Sequence, residues 1–345
     1  MPRKKIKAIN QWIKAFVVSI IILWFFKTFF FEFTIVRSTK MENTLYKGDI
    51  VFISKLTPGP RMPITLLSIP FFGNNLPFSN TASYLDWITL PYMRINLIDI
   101  KRNDVIAFNY PVEFDAPTDK KNIEIKRCVG LPGDTVNIHD KKVFVNKNLI
   151  EDSPNCKYRY RITAQELLDS VFFNKYQITY CHLIAKPYIY DVIISNNIAD
   201  SIVKDPIVKR VQLLKTINLP KFMKIFPYSP YVSWSFDYFG SLYVPKKGQT
   251  ITLTKENIYY YKQIIEVYEN NKLTILNDTI FYINDKFSYK YTFKYNYYFV
   301  LDDNRDQAKD SRYWGFLPET HIIGKAKFVL FNVDKYKNRF IKSIN

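Results

Sequence analysis

The sequence is poor in cysteine, histidine and glycine, and each shortage excludes a class of site. The three cysteines, Cys128, Cys156 and Cys181, show no C-x-x-C spacing and lie far from any histidine. Neither a disulfide framework nor a Cys/His zinc site is therefore expected. The three histidines are also far apart, without metal or triad spacing. With no nucleotide or haem motif either, we predict no metal and no cofactor.

The chain contains enough apolar residues to bury a core. Of its 345 residues 48% are hydrophobic and 23% charged, which is typical of globular proteins and excludes a disordered or fibrous chain. The length suits about two domains, or one large β-domain with insertions. The net charge of +18 fits an anionic partner and a biased base composition equally well.

One long apolar run lies near the N-terminus. Residues 13–31 are interrupted only near their ends, by Lys14 and Lys27. Their number suits one spanning helix, which needs about 20 residues, and lysines near its ends can reach the headgroups. The bulky residues that follow offer no small-x-small cleavage site, so a retained transmembrane anchor is favoured over a cleaved signal peptide.

Basic residues in the tail before the anchor predict its orientation. Arg3, Lys4, Lys5 and Lys7 lie within residues 1–12, and such residues stay on the cytoplasmic side. We therefore expect a single-pass protein of the inner membrane, in contact with the lipid bilayer and with its main domain in the periplasm. A nucleic-acid partner is excluded by that placement.

Beyond the anchor the pattern favours β structure. Short runs of β-branched and aromatic residues predict strands at 50–53, 105–108, 123–129, 143–145, 297–301 and 325–331. Helical periodicity is clear only at 256–268, behind Thr254 as a cap. Five prolines between residues 56 and 80 predict an extended surface loop, which could rest on lipid.

These observations predict a mostly β fold, with a single N-terminal transmembrane helix followed by a β domain with an inserted subdomain. The expected boundaries are a basic tail (1–12), the anchor (13–31), a core in two parts (32–136 and 290–335), the insert (137–289) and a basic C-terminal tail (336–345).

Three segments stand out from this background. The first, S-T-K-M-E-N-T-L-Y-K-G-D-I from Ser38, lies just after the anchor; the second is I-K-R-C-V-G-L-P-G-D from Ile125; the third is D-D-N-R-D-Q-A-K-D-S-R-Y-W-G-F from Asp302. In this order behind an anchor they closely resemble the bacterial type I signal peptidases, the leader peptidases that remove signal peptides from exported proteins. The resemblance implies that the β domain is an antiparallel domain of the signal-peptidase type. The Pro-rich loop and residues 83–94 look most like the enlarged Bacteroidetes-type members.

The resemblance implies a Ser-Lys dyad, in which a serine hydroxyl attacks the scissile carbonyl and a neutral lysine takes its proton. By resemblance Lys126 is the general base. Lysine has an ordinary pKa of about 10.4, so an apolar site must disfavour its charged form. Apolar neighbours in the strand suit that demand, with Lys126 pointing inward and Arg127 away.

The nucleophile position departs from the family pattern S-x-S-M. Aligned on Met41, the first serine, which contributes to the oxyanion hole, is Ser38, while the attacking serine is replaced by Lys40. An amine has no hydroxyl to activate and would end in a stable amide. Ser38 and Thr39 are the candidate substitute nucleophiles, and a Lys40→Ser variant is expected to regain turnover.

Two further departures lie in the third segment. Ala308 stands where the family has a serine that orients the base, and Asp302 stands where it has a glycine, which adopts a left-handed backbone more easily. The matching residues predict a buried ion-pair network that positions Lys126: Asp303, Arg305, Asp310, Ser311 and Arg312. Candidates for the walls of the substrate pockets, or equally for the core, are Met41, Ile53, Ile106 and Phe108.

Three functional hypotheses follow. The chain is a working signal-peptide endopeptidase that uses a neighbouring hydroxyl, a non-cleaving paralogue that binds signal peptides or an active peptidase as a membrane scaffold, or a product of drift. In the first two the partners are the signal peptides of exported preproteins, bound along an exposed strand edge. A second, active peptidase is a candidate partner in the scaffold hypothesis.

Overall fold

The computed structural model describes residues 2–69, 79, 81–185, 188–220, 223–334 and 339–344. It begins with helix α1 (Pro2–Phe29), whose part Asn10–Phe29 is apolar and long enough to cross a membrane and has no buried share. The helix ends earlier than the apolar run because Phe31 already pairs with Ser54 in a sheet. The ammonium of Lys55 caps this end, donating to the carbonyls of Lys27 (2.8 Å) and Thr28 (3.2 Å).

Most of the remaining secondary structure is strand. In chain order the strands are β1 (Phe31–Ile35), β2 (Asp49–Ser54), β3 (Thr65–Ser68), β4 (Tyr84–Thr89), β5 (Val105–Asn109), β6 (Ile123–Gly130), β7 (Thr135–His139), β8 (Lys142–Val145), β9 (Asn148–Ile150), β10 (Lys157–Ala164), β11 (Cys181–Ala185), β12 (Ile189–Ser195), β13 (Val208–Leu213), β14 (Tyr238–Tyr243), β15 (Thr250–Thr252), β16 (Leu273–Leu276), β17 (Ile280–Ile283), β18 (Lys286–Phe287), β19 (Lys290–Thr292), β20 (Tyr297–Leu301), β21 (Leu317–Pro318), β22 (Ile322–Asn332) and β23 (Phe340–Ser343). The other helices are α2 (Ser170–Lys175), α3 (Asn196–Ile202), α4 (Ile258–Gln263), a π-helix (Ile264–Tyr268) and α5 (Ser311–Trp314), with single 3-10 turns at Thr118–Lys120 and Glu319–His321.

The main sheet positions the site. Its eight strands run in the order β1-β2-β22-β5-β6-β20-β21, with β23 also paired to β22, and every pairing is antiparallel. Strand β6, which carries Lys126, lies in the interior of this sheet between β5 and β20. The predicted fold class, a mostly β chain with antiparallel sheets behind one apolar helix, is confirmed.

Smaller sheets surround the main one. The order β11-β12-β10-β13 forms a four-stranded sheet whose own core includes Ile162, Val192 and Ile202. A second four-stranded sheet has the order β14-β7-β8-β9, and its buried residues share a core with β20. The sequence named no strand between residues 147 and 249, where aromatic and basic residues alternate without a clear period.

All six strands predicted from the sequence are present, each extended by a few residues or unchanged. The predicted helix at 256–268 starts at Ile258 and turns into a π-helix at Ile264, and its apolar face is buried at Ile258, Tyr261, Ile264 and Ile265. The hydroxyl of Thr254 accepts the N–H of Asn257 (3.2 Å) one turn earlier than a cap at the helix start would.

Two segments for which the sequence predicted no strand contain short ones. Part of the predicted C-terminal tail is β23, which pairs with β22. The Pro-rich loop contains strand β3, paired with β4 away from the main sheet; Pro70 and Pro77 of that loop lie outside the described residues. Strands β3 and β23 were not predicted because each has four residues and lacks an alternating pattern of apolar and polar residues.

Close packing in the centre of the main sheet predicts the effect of a Gly324→Ala substitution in β22. A Cβ at this position would lie 2.2 Å from the carbonyl oxygen of Ser54, a backbone atom held by pairing with β2. We expect the free energy of unfolding to fall by about 1–3 kcal/mol, measured by denaturant unfolding in detergent. The exposed Lys342→Ala variant is the control; equal stability of the two variants would contradict the described packing.

Candidate active site

The structure brings the three unusual segments together, as the sequence predicted. The carbonyl of Lys40 accepts the N–H of Asn304 (2.8 Å), and the sulfur of Met41 accepts the N–H of Asp303 (3.3 Å). Strand β6 pairs with β20, so Lys126 lies beside the loop that follows β20. One site therefore contains three parts of the chain: the segment after α1, strand β6, which we call the lysine strand, and the loop after β20 that starts at Asp302, which we call the Asp-rich loop.

Lys126 is fully buried, and its ammonium is held by carboxylates. Its Nζ lies 2.6 Å from Oδ1 of Asp302 and 3.6 Å from Oε2 of Glu124. Both Lys126 and Asp302 have 0% exposed surface. The predicted burial of Lys126 is present, but its surroundings are charged rather than apolar.

This pairing decides the protonation state of the amine. Burial by itself disfavours the charged form, but the carboxylates, chiefly Asp302 and then Glu124, outweigh burial and raise the pKa of Lys126. This direction is opposite to the lowered pKa that the resemblance implies for a general base. The carboxylate partners favour the protonated amine, and a protonated amine does not accept a proton from a hydroxyl.

The pKa of Asp302 is also raised, but here burial causes the rise instead of opposing it. Burial raises its pKa to about 6; Lys126 opposes this shift and the neighbouring Asp310 adds to it. Its Oδ2 also accepts the N–H of Lys309 (2.9 Å). Asp302 is not among the residues with positive φ, so the strain expected for a residue in place of glycine is absent. Asp302 therefore differs from a glycine at this position through its carboxylate, which contacts Lys126, and not through its backbone conformation.

Glu124 lies between two amines. Its Oε1 is 3.4 Å from Nζ of Lys40, and its Oε2 contacts Lys126. Lys40, Glu124, Lys126 and Asp302 thus form a chain of alternating charges whose sum is zero, which we call the charge quartet. Glu124 lies outside the three unusual segments and was not predicted as a site residue, although strand alternation places residues 124 and 126 on the same face.

The two candidate substitute nucleophiles lie near the site without engaging it. Ser38 is half-buried and Thr39 is exposed. Within the described part of the chain, neither hydroxyl forms a hydrogen bond with the amine of Lys126, whose partners are carboxylates. Ala308, which is buried, offers no hydroxyl either.

The residues predicted to support the site form buried ion pairs. Asp303 binds Arg127 through two hydrogen bonds of 2.8 Å, and Asp310 binds Arg312 at 2.8 Å. Arg305 binds Asp152 at 2.7 Å. Paired in this way, the charges tie the Asp-rich loop to β6 and to the insert.

The same loop is closed by hydrogen bonds around α5. The carboxylate of Asp310 caps this helix by accepting the N–H of Arg312 (3.1 Å) and also accepts the N–H of Asp302 (3.1 Å). Ser311 accepts the N–H of Val300 through its hydroxyl (3.0 Å). The loop that carries Asp302 is therefore fixed, and so is its carboxylate.

A groove of about 950 Å³ runs from the end of α1 to this site. It is lined by Trp24, Ser38, Met41, Glu124 and Ile125, among others. Three of the residues proposed as pocket walls, Ile53, Ile106 and Phe108, do not line it; they are fully buried in the core. The hydrophobicity of a strand residue does not by itself show whether its side chain lines a groove or lies in the core.

Comparison with known proteins agrees with this arrangement. The family model "Signal peptidase, peptidase S26" matches residues 9–190 and 244–331, which include all three segments. The chain belongs to the S26 signal peptidase family. The gap in the family match, residues 191–243, falls within the smaller sheets that surround the main one.

Relatives named signal peptidase I match over most of their length. Those of two Buchnera aphidicola subspecies, from Schizaphis graminum and Baizongia pistaciae, are 26% and 24% identical over 92% and 97% of this chain, and the matches cover 74% and 81% of those proteins. That of Helicobacter pylori is 23% identical over 94% of this chain and 81% of its own length. Family membership thus extends across nearly the whole chain.

The raised pKa of Asp302 predicts a pH effect on stability. Since its folded-state pKa of about 6 lies above the ordinary 3.8, the folded protein holds a proton between these values that the unfolded chain has released. The contribution of Asp302 to the free energy of unfolding therefore falls as pH rises through this window, by about 3 kcal/mol. We therefore compare the free energies of unfolding of the wild-type protein and of the Asp302→Asn variant. The difference, wild type minus variant, should fall by that amount between pH 4 and pH 7.

Denaturant unfolding at several pH values measures this difference, with Asp303→Asn as the control. Burial disfavours the charged form of Asp303, but Arg127 outweighs it and lowers the pKa of Asp303. The contribution of Asp303 is therefore lost only as pH falls below the ordinary range, and its difference should not fall between pH 4 and 7. A pH-independent difference for Asp302→Asn would show that the pKa of this carboxyl is not raised.

Proposed function

We propose that this chain is a non-cleaving member of the signal peptidase family that binds signal-peptide segments beside a membrane. The observation that carries the proposal is the buried contact of 2.6 Å between the Lys126 amine and Asp302. A Ser-Lys dyad needs a neutral amine in contact with a hydroxyl. Here the partners of the amine are carboxylates, which favour its protonated form.

Three residue identities support this proposal jointly. Lys40 occupies the aligned position of the nucleophile, Ala308 that of the serine that orients the base, and Asp302 that of a glycine. Lys40 provides no hydroxyl, and Asp302 and Ala308 would each weaken proton transfer to Lys126. The charges of Lys40 and Asp302 balance when Glu124 and Lys126 are included. This balance fits a site that has been kept stable rather than one that has decayed at random, because an unpaired buried charge is strongly destabilising.

What remains beside the quartet is suited to binding. The groove begins at Trp24, Lys27 and Thr28 at the end of α1 and reaches Met41. In our proposal α1 anchors the chain in the inner membrane with the basic tail in the cytoplasm. A signal peptide in the same membrane then meets the groove on the periplasmic side, and an active signal peptidase is a candidate partner for cleavage.

The proposal predicts which substitutions restore cleavage. Lys40→Ser alone supplies a hydroxyl but leaves Lys126 paired with Asp302, so little turnover is expected, in contrast to the sequence-based expectation. Lys40→Ser combined with Asp302→Gly and Ala308→Ser frees the amine and should raise turnover at least about a hundredfold over wild type. The assay is cleavage of a preprotein with a small-x-small site by detergent-solubilised protein.

Lys126→Met in the triple variant is the matched control and should abolish the restored cleavage. Wild-type turnover as fast as that of the triple variant would refute a non-cleaving function. In that case loss of activity in Ser38→Ala or Thr39→Ala, with the fold intact, would identify the nucleophile.

Binding is predicted separately from cleavage. A fluorescent synthetic signal peptide should bind the wild-type protein in detergent, as measured by fluorescence anisotropy. Ser38→Trp places a large side chain at the groove lining and should raise the dissociation constant by at least about tenfold. Val171→Trp, on the exposed side of α2, is the control. Absence of wild-type binding, or equal binding by both variants, would contradict a signal-peptide site in this groove.

A further inference from the structure

The amine of Lys40 is accessible, unlike that of Lys126. The side chain of Lys40 is 22% exposed, whereas the side chain of Lys126 is 0% exposed. Among the residues that the structure describes, Nζ of Lys40 has a single polar partner, Oε1 of Glu124 at 3.4 Å. An ammonium has three N–H donors, so the amine of Lys40 retains donors for a ligand.

Glu124 allows Lys40 to bind a second acceptor. The other carboxylate oxygen of Glu124 lies 3.6 Å from Nζ of Lys126, so Glu124 keeps a cationic partner when the amine of Lys40 turns to a ligand. The exchange therefore leaves no unpaired charge beside the buried pair, which would be strongly destabilising. Lys126 has no such freedom, because its amine is buried against Asp302.

The groove beside Lys40 has an excess of positive charge. Glu124 lines this groove, and the amine of Lys40 therefore lies at its border. Six basic and four acidic residues line the groove. Two of the lining residues, the exposed Arg37 and the half-buried Ser38, form no ion pair or side-chain hydrogen bond within the described ranges. Cations and a hydroxyl donor suit a ligand that carries negative charge.

The chemistry of signal-peptide cleavage determines where a peptide becomes negative. Hydrolysis breaks the C–N bond after the signal peptide; water supplies the second oxygen of a new carboxylate, and the mature protein leaves with a new ammonium. The carboxylate carbon is the atom that a nucleophile attacks, so in the released peptide it lies next to the nucleophile position, which Lys40 occupies in the alignment with the family pattern. An uncleaved preprotein presents a neutral amide at the same place.

We propose that the groove binds the signal peptide after its release, with the amine of Lys40 pairing with the new C-terminal carboxylate. This inference deepens the proposed function and rests on it. From a carboxylate an ammonium gains an ion pair as well as a hydrogen bond, whereas an amide carbonyl offers only the hydrogen bond. Lys40 thus distinguishes the product of cleavage from the preprotein. The reaction that supplies this ligand is peptide hydrolysis by a separate, active peptidase.

The test compares three synthetic signal peptides that share one sequence and an N-terminal fluorophore. The first ends in a free carboxylate at a small-x-small site, the second ends there in an amide, and the third continues beyond the site and ends in an amide. Their binding to the full-length protein in detergent at pH 7 is measured by fluorescence anisotropy. We expect the wild-type protein to bind the free acid at least about fivefold more tightly than the other two, as for a partly exposed ion pair.

Variants of two lysines assign the preference to one contact. Lys40→Met should remove the preference for the free acid while the amide peptide still binds, which shows that the groove is intact. Lys40→Arg keeps a cation and should keep the preference. Lys47→Met is the matched control, because Lys47 is an exposed lysine of the same segment that does not line the groove. Its preference should equal that of the wild type, which separates a local contact from the net charge.

Equal affinity of the wild-type protein for the acid and the amide would overturn the inference, as would tighter binding of the extended peptide or an undiminished preference in Lys40→Met. In each of these cases signal peptides still bind, so the proposed function stands. Absence of binding by all three peptides would instead refute the proposed binding function, and the inference with it.

Discussion

The buried ion pair between Lys126 and Asp302 is the constraint on which the site depends. An ammonium inside a protein needs a partner, because removing it from water without one is strongly unfavourable. Asp302 provides that partner at 2.6 Å, and the loop that carries Asp302 is itself held by Asp310 and Lys309. The same contact that makes the buried lysine tolerable also favours its protonated form, which is the basis of the non-cleaving function proposed above.

The ion pairs that hold the architecture of this site are separate from the groups around Lys126. The pairs of Asp303 with Arg127 and of Asp310 with Arg312 connect the Asp-rich loop to the lysine strand and to α5. These pairs hold the backbone of the site, and none of them requires a nucleophile. A lysine at position 40 is therefore compatible with this fold, because its amine has a carboxylate partner in Glu124.

In the proposed function, membrane anchoring and peptide binding share one region of the molecule. The groove opens at the end of α1, where Lys55 fixes the last carbonyls of the helix to the main sheet. This cap restricts how the helix and the sheet can move relative to each other. If α1 spans the bilayer, the orientation of the groove toward the membrane follows from a few hydrogen bonds rather than from a flexible linker.

The sequence by itself determined five strands of the main sheet (β2, β5, β6, β20 and β22), the apolar helix and the family, because alternation, apolar length and long motifs are local properties of the chain. It also indicated that Lys126 lies inside and that residues 38–41 face it. Only the tertiary structure decided which groups surround the amine of Lys126, since Asp302 lies 176 residues away in the chain and Glu124 carries no motif of its own. It likewise placed Ile53, Ile106 and Phe108 in the core, because burial is set by what packs on each face and not by the residue's own hydrophobicity.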